Sequence, residues 1–418
     1  MTDKIKLLTI SDHPLIASGV AIQTRYIMEG LLKTGDYVIR SLGGAMSHKD
    51  YRPVRLDTYG DDWLIWPVDG YGNPQIMRQA LDSDKFDALF FMTDPRFYYF
   101  LFEMTDEFQQ RGCAVLYNHV WDEYPVPQFN KPFYQACDFI GCISKLTYNI
   151  MENLGLGSRA QYIAHAVQAD VFKPFNLNAT DDKALRVKIL GKENADKFVF
   201  FYNSRNAVRK RTSDILAAFK GFLDEVGDDK GFLFMHTDPC DNEGANLHAV
   251  AHMLGLTQQN IAFSSQGKPA EAIAEYYNAC DVLVNISSNE GFGVSCLEAL
   301  SCGKLAIVNM TGGLQDQIQD EHGTQFGVGI QPASRSLQGS QHIPYIYDCR
   351  MNLQHVTDAM VRLYKMPLAE RKKLGQAARE WTLRAFSMDR MVTRWDKAIK
   401  AQVEKYRNAD NQLKVVNL

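Results

Sequence analysis

Short apolar runs alternate with amphipathic stretches along the first half of the chain. Ile5 to Ile10 reads as a buried strand, and Ala21 to Leu32 carries Ile22, Tyr26, Ile27 and Leu31 at a helical period. Ala88 to Met92, Ala114 to Tyr117, Phe139 to Ile143 and Tyr162 to Ala164 are further strand candidates, with helices predicted over Phe97 to Gln110 and Lys145 to Leu154. Such alternation predicts a parallel sheet covered on both faces. Phe172-Lys173-Pro174 and the polar stretch Asn176 to Asp182 break it, and a helix is expected near Lys183 to Leu190. The pattern then restarts. Strands are predicted at Phe198 to Tyr202, Gly231 to His236, Ile261 to Phe263, Val282 to Ile286 and Leu305 to Asn309. Helices fall between them at Ser213 to Val226, Asn246 to Leu254, Ala270 to Cys280 and Ser295 to Ser301, and a charged helical tail runs from Leu363 to about Tyr406. Two doubly wound α/β domains in tandem follow, over residues 1–175 and 176–385, with a terminal helical segment over 386–418.

Length agrees with this division, because 418 residues exceed what one hydrophobic core organises. With 46% hydrophobic and 22% charged residues the chain is neither disordered nor collagen-like. Lys and Arg number 45 against 49 Asp and Glu, a net charge of −4, so no bulk positive field attracts nucleic acid or an anionic membrane. The eight cysteines match no zinc spacing and read as reduced core thiols. The run Leu7 to Ile10 is too brief for a signal sequence or a membrane span. A cytoplasmic protein with no transmembrane segment is therefore expected. Nothing in the composition specifies an oligomeric state.

In open parallel sheets ligands bind beyond the carboxyl ends of strands, and the chemistry-bearing residues cluster there. Asn285-Ile-Ser-Ser-Asn-Glu290-Gly291-Phe292-Gly293-Val294-Ser295-Cys-Leu-Glu298 runs from a strand through a glycine turn into a helix start, where backbone N–H groups can hold an anion. Glu290 and Glu298 can border that pocket and accept hydrogen bonds from sugar or ribose hydroxyls. After the strand Phe198 to Tyr202 the loop holds Arg205, Arg209, Lys210 and Arg211, cations that could neutralise a diphosphate. His119 ends another strand candidate. Asp82-Ser83-Asp84 has the form of a metal motif but precedes a strand, and is read as a solvated turn. Ser144 is read as a helix cap and His165 as structural. Aromatic and acidic loop segments around Asp69, Asp94 and Trp121 would suit carbohydrate.

Taken together, these motifs resemble the retaining glycosyltransferases of family 4. Glu290 to Glu298 has that family's E-x7-E spacing, Arg205 with Lys210 resembles its Arg-x4-Lys pair, and Ile163 to Pro174 is similar to its interdomain signature. The resemblance implies the GT-B fold, two Rossmann-like domains facing a central cleft, with acceptors on the first and the donor on the second. The tail helix would pack back toward the N-terminal domain. It further implies that Arg205 and Lys210 stabilise the donor diphosphate, that Glu290 binds the donor sugar, and that Glu298 binds the ribose. Gly291, Phe292, Gly293, Val294 and Ser295 would frame the phosphate, Gly19 would approach the diphosphate from the first domain, and His119 would lie near the transferred sugar.

The implied reaction moves a sugar from a nucleoside diphosphate sugar, bound as co-substrate, to an acceptor hydroxyl. Neither a cofactor nor a metal is required, because the cations and the helix start supply the stabilising charge. A saccharide or glycoconjugate is the favoured acceptor. A DNA-modifying glycosyltransferase acting on hydroxymethylated bases is an alternative, against which stand 16 Lys and Arg facing 21 Asp and Glu in residues 1–175. A sugar-nucleotide epimerase and a non-catalytic binding protein are further alternatives on the same fold.

Overall fold

The computed structural model describes residues 4–412, with side chains through Asn408. The described residues form two compact units: those up to 166 with 340–344 and those from 388 on, and residues 167–339 with 345–387. The division falls at Ala166/Val167, nine residues before the predicted boundary. Segment 167–175 belongs with the second unit, where Val167 forms a parallel bridge with Ser387 and the Phe172 carbonyl accepts from Ser301 and Arg379.

The first unit is built on an eight-stranded sheet: β1 (Ile5–Asp12), β2 (Tyr37–Met46), β3 (Val54–Arg55), β4 (Trp63–Asp69), β5 (Ala88–Thr93), β6 (Ala114–His119), β7 (Phe139–Cys142) and β8 (Ala160–Tyr162). The order is β3-β4-β2-β1-β5-β6-β7-β8, parallel throughout except for the β3–β4 pair. β2, β3 and β4 are additions to the predicted set, and the predicted helix Phe97 to Gln110 is broken into a 3-10 turn and two short helices meeting at Met104. The helix Met388–Gln412 closes this unit. Its Trp395 is fully buried and lies so close to β7 that a Cβ at Gly141 would come 2.3 Å from the ring, so only glycine lets the helix seat. Tyr37 donates to Asp396, and Arg394 to the Tyr162 carbonyl, along the same helix.

The second unit carries β9 (Phe198–Asn203), β10 (Gly231–His236), β11 (Ile261–Ser264), β12 (Val282–Asn285), β13 (Leu305–Asn309) and β14 (Gly327–Ile330) in the order β11-β10-β9-β12-β13-β14, all parallel. An antiparallel hairpin, β15 (Ser334–Gln338) with β16 (Ile346–Arg350), follows. Continuous apolar runs form these strands because both sheet faces are covered. Phe200, Leu233, Val284 and Ile307 are buried against Phe219, Phe222 and the helix Leu353–Lys365.

Both sheets have a topological switch point, where successive strands begin to be added on the opposite side. It lies between β1 and β5 in the first unit and between β9 and β12 in the second. Crevices beyond the carboxyl ends of such strand pairs are where doubly wound sheets take ligands.

Candidate active site

In the second unit the switch point is flanked by the loop after β9, residues 204–211, and the loop after β12, residues 286–293. A backbone bond joins the two, Ser288 N donating to the Arg209 carbonyl at 2.8 Å, and β16 ties down the second loop through Cys349 N, which donates to the Ser288 carbonyl at 3.0 Å. The basic loop is tied on its other side as well, with Val208 N on the Glu243 carbonyl and Asn206 bridging Thr212 and the Ala245 carbonyl.

These bonds bring Lys210 onto Glu290. The ammonium and carboxylate form an ion pair in which the two side chains keep only 9% and 10% of their exposure, and Ser287 Oγ donates to the same carboxyl oxygen at 3.2 Å. Arg209 Nη1 donates to the Asn289 carbonyl at 2.9 Å and stands 3.7 Å from Glu290 Oε1. Burial by itself would push the Glu290 carboxyl up, but Lys210 and then Arg209 outweigh it and hold the group below the usual carboxylate range.

Directly after Glu290 the chain turns through Gly291, Phe292 and Gly293 into the helix Val294–Ser301. Gly293 has φ +85° and packs so tightly that a Cβ would meet Leu314 Cδ2 at 2.5 Å. Phe292 is buried, its carbonyl accepting from Gln317. No side chain caps the helix, whose opening residues are Val294 and Ser295, so its first turn offers backbone amides and the positive end of the helix dipole. One turn on, Glu298 Oε2 accepts from the Tyr277 hydroxyl at 2.8 Å, while Asn203 at the end of β9 donates to the Tyr277 oxygen at 3.0 Å. Burial pushes the Glu298 carboxyl up to about 7, and the Tyr277 hydroxyl draws it back in the other direction.

The structure therefore assembles Lys210, Glu290, the turn Gly291 to Gly293, Val294, Ser295 and Glu298 at one switch point. It does not bring Arg205 there. That guanidinium is 60% exposed and donates to both carboxylate oxygens of Asp241, at 2.6 and 3.0 Å, with Glu243 at 3.8 Å. Arg209, Tyr277, Asn203 and Ser287 are the members that sequence reading did not assign. Arg209 was visible as one of four cations in its loop, whereas Tyr277 has no sequence signal, lying 21 residues from Glu298 on another helix.

In the first unit Gly19 opens the helix Gly19–Lys33 at the β1/β5 switch point. Ser18 caps that helix through Ala21 N and donates to Asp12 at 2.5 Å. A Cβ at Gly19 would meet nothing within 4 Å, so packing is not what calls for glycine.

His119 ends β6, one strand away from the switch point, with no exposed surface, its Nε2 3.0 Å from the Tyr134 hydroxyl and its ring against Tyr117 and Tyr134. Burial pushes its pKa down to about 3, so the imidazole is neutral. His165 is likewise buried and neutral, with a pKa pushed down to about 3. Ser144 forms a capping box with Thr147. Asp82 and Asp84 are engaged by Arg111 and Lys6. All eight cysteines are free, but Cys240 is exposed and so is not a core thiol. Among the described residues no helix is long and apolar enough to cross a membrane.

Comparison with known proteins meets this geometry at the same place. Residues 183–337 match the family of glycosyl transferases group 1. A D-inositol 3-phosphate glycosyltransferase of Streptomyces bingchenggensis is 37% identical over 87 residues, 21% of this chain and 19% of that protein. The match thus spans about a fifth of the curated relative. Solved structures align over nearly the whole chain. A glycosyltransferase from Rickettsia africae has a TM-score of 0.71 at 17% identity, covering 96% of this chain and 99% of its own. Anabaena Alr3699/HepE in complex with UDP and glucose has a TM-score of 0.70 at 12% identity, covering 95% and 100%. The chain accordingly has the GT-B fold of two Rossmann-like domains, and its residues 183–337 are similar to the glycosyl transferases group 1.

Proposed function

We propose that the protein is a retaining glycosyltransferase that moves a sugar from a nucleoside diphosphate sugar to an acceptor hydroxyl, without a metal. The observation that carries this reading is the convergence at one switch point of Lys210, Arg209, the turn Gly291 to Gly293 and an uncapped helix start. Cleavage of the donor's anomeric carbon–oxygen bond leaves the electron pair, and hence charge, on the diphosphate. Fixed cations and amides that meet this growing charge stabilise departure more than they stabilise the bound donor. The acceptor oxygen bonds to the anomeric carbon on the face the diphosphate leaves, and its proton passes to a phosphate oxygen. No side chain acts as nucleophile.

Within this reading Lys210 and Arg209 meet the diphosphate, Glu290 accepts hydroxyls of the donor sugar and Glu298 those of the ribose. The UDP and glucose of the Anabaena neighbour support uridine as the first base to try. The name of the Streptomyces relative supports a polyol or sugar acceptor, possessed of hydroxyls that a saccharide shares. Thermal stabilisation by UDP-, GDP- and ADP-sugars, followed by product analysis with sugar and polyol acceptors, tests the proposal. Stabilisation by one donor class and formation of an α- or β-linkage matching the donor's anomer are expected. An inverted product overturns the retaining mechanism, and no response to any sugar nucleotide overturns the function.

A further inference from the structure

Glu298 has its two carboxyl oxygens in different situations. Oε2 accepts from Tyr277 at 2.8 Å and from Asn203 at 3.5 Å, while Oε1 has no partner among the described residues. Tyr277 is almost wholly buried on the helix Ala270–Ala279, its ring edge-on to Phe201 and Phe172, so its hydroxyl cannot wander. That oxygen already receives the Asn203 amide at 3.0 Å, and it has one proton to give. Two acceptors lie in reach: Glu298 Oε2 and the Ser295 carbonyl, at 3.0 Å. An ionised carboxylate is the stronger acceptor and takes the proton; a protonated one frees Tyr277 to turn to Ser295.

We propose that Tyr277, held by Asn203, is a positioning residue for nucleotide binding: it fixes Glu298 through Oε2, favours the ionised carboxylate, and so presents Oε1 to the ribose hydroxyls. The inference rests on the reading that Glu298 binds ribose. Burial raises the Glu298 carboxyl to about 7 even with Tyr277 in place, so the hydroxyl controls how much of the acceptor-only form is present near neutrality. Burial keeps Tyr277 itself protonated throughout this range. The other ionisable groups around the Glu298 helix are engaged or neutral. Glu275 pairs with Lys188, Lys304 donates to the Asn278 carbonyl and Arg379 to the Phe172 and Ser301 carbonyls. Burial keeps the Cys296 and Cys302 thiols neutral, and Asp316 lies buried on the helix Leu314–Gln317.

The test is calorimetric titration of the full chain with UDP, and with GDP and ADP alongside, between pH 6 and 9. Affinities are compared as the ratio of variant to wild type, which cancels the titration of the nucleotide itself. Tyr277→Phe keeps the ring packing and loses only the hydroxyl. Its UDP affinity is expected to fall about tenfold at pH 7 and to recover to within about twofold at pH 9, where Glu298 ionises unaided. Asn203→Ala leaves the tyrosine in place and is expected to shift the profile the same way by less, which tests the relay should Tyr277→Phe fold poorly. Glu298→Gln is expected to weaken binding and flatten the profile. An equal loss at every pH in both Tyr277→Phe and Asn203→Ala, or no loss, overturns the relay. If Glu298→Gln leaves UDP affinity and its pH dependence unchanged, the ribose reading itself fails.

Discussion

Replacing Lys210 by methionine removes one charge from a buried pair while keeping most of the side chain's volume. Lys210 and Glu290 are nearly sealed from solvent, so the variant leaves a carboxylate with Ser287 Oγ at 3.2 Å and Arg209 at 3.7 Å as its remaining support. Breaking a buried pair from one side costs about 3–5 kcal/mol, and the surviving Arg209 and Ser287 contacts reduce that to about 2–4 kcal/mol here. Glu290→Gln is the reciprocal change, and Lys210→Met with Glu290→Gln together leave no uncompensated charge. The double variant is therefore expected to be more stable than the two single losses imply, with a coupling of about 2 kcal/mol in urea unfolding followed by tryptophan fluorescence. Because the folded carboxyl lies below its ordinary value of 4.5, the stabilisation is present above that pH and disappears as pH falls through the folded pKa.

Stability and turnover should then separate. The double variant regains stability but not the ammonium, so kcat remains lowered by about a hundredfold or more, as expected on losing a charge aimed at a leaving group. A coupling under about 0.5 kcal/mol would show that the pair is not a unit in solution. Turnover close to wild type in Lys210→Met would show that the ammonium does not face the departing diphosphate.

Arg209→Ala is expected to lower kcat about tenfold more than Arg205→Ala, since Arg209 lies 3.7 Å from Glu290 and Arg205 is held by Asp241; steady-state kinetics giving the reverse order would return the role to Arg205. Gly293→Ala places a Cβ at φ +85° and 2.5 Å from Leu314, so nucleotide affinity should fall together with about 1–3 kcal/mol of stability, read by calorimetry and thermal melting. Turnover is expected to survive exhaustive EDTA treatment, and a loss restored by magnesium or manganese would end the metal-free reading. Glu298 has its folded pKa raised to about 7 from 4.5, so wild-type stability should fall as pH rises between these values and level off above. Glu298→Gln should consequently be more stable than wild type by up to ~3 kcal/mol at pH 8 and by nothing at pH 4, in denaturant titrations at the two pH values.

Where a strand is one unbroken apolar run between turn residues, its limits could be read from the sequence, as for β10 and β13. β2 was not legible because Arg40, Ser41, Gly43 and Gly44 interrupt its run, and in β4 Pro67 does the same. Their pairing partners supply the hydrogen bonds that local pattern does not advertise. Within the site the glycine turn and the two glutamates were legible because spacing along one loop and helix fixes them. The choice among four cations was not, since it depends on which of them the bonds from Val208 to Glu243 and from Ser288 to Arg209 turn inward. The burial of His119 was not legible for a related reason: every residue of β6 is buried, which the polar pair Asn118 and His119 at its end does not announce.

The two carboxylates of the site are chemically alike and environmentally opposed. Glu290 is the more deeply enclosed, yet the cations Lys210 and Arg209 hold it ionised. Glu298 has only hydroxyl and amide partners, so burial prevails and its charge is marginal near pH 7. The placement follows from the fold. Glu290 lies on the loop that the basic segment after β9 crosses, whereas Glu298 is one helical turn further along, where the neighbours are the end of β9 and the helix Ala270–Ala279. A diphosphate entering beside Lys210 would draw on a cation already neutralised by Glu290, so the donor's own hydroxyls must take up the carboxylate as its phosphates take up the ammonium. A nucleoside diphosphate without its sugar supplies only half of that exchange. Free UDP should therefore bind through Glu298 and the helix start while leaving much of the Lys210–Glu290 pair intact, and only the sugar-bearing donor should separate it. Crosswise titrations of UDP and UDP-glucose against Glu290→Gln distinguish the cases: the substitution should change UDP-glucose affinity far more than UDP affinity, and equal effects would refute the exchange.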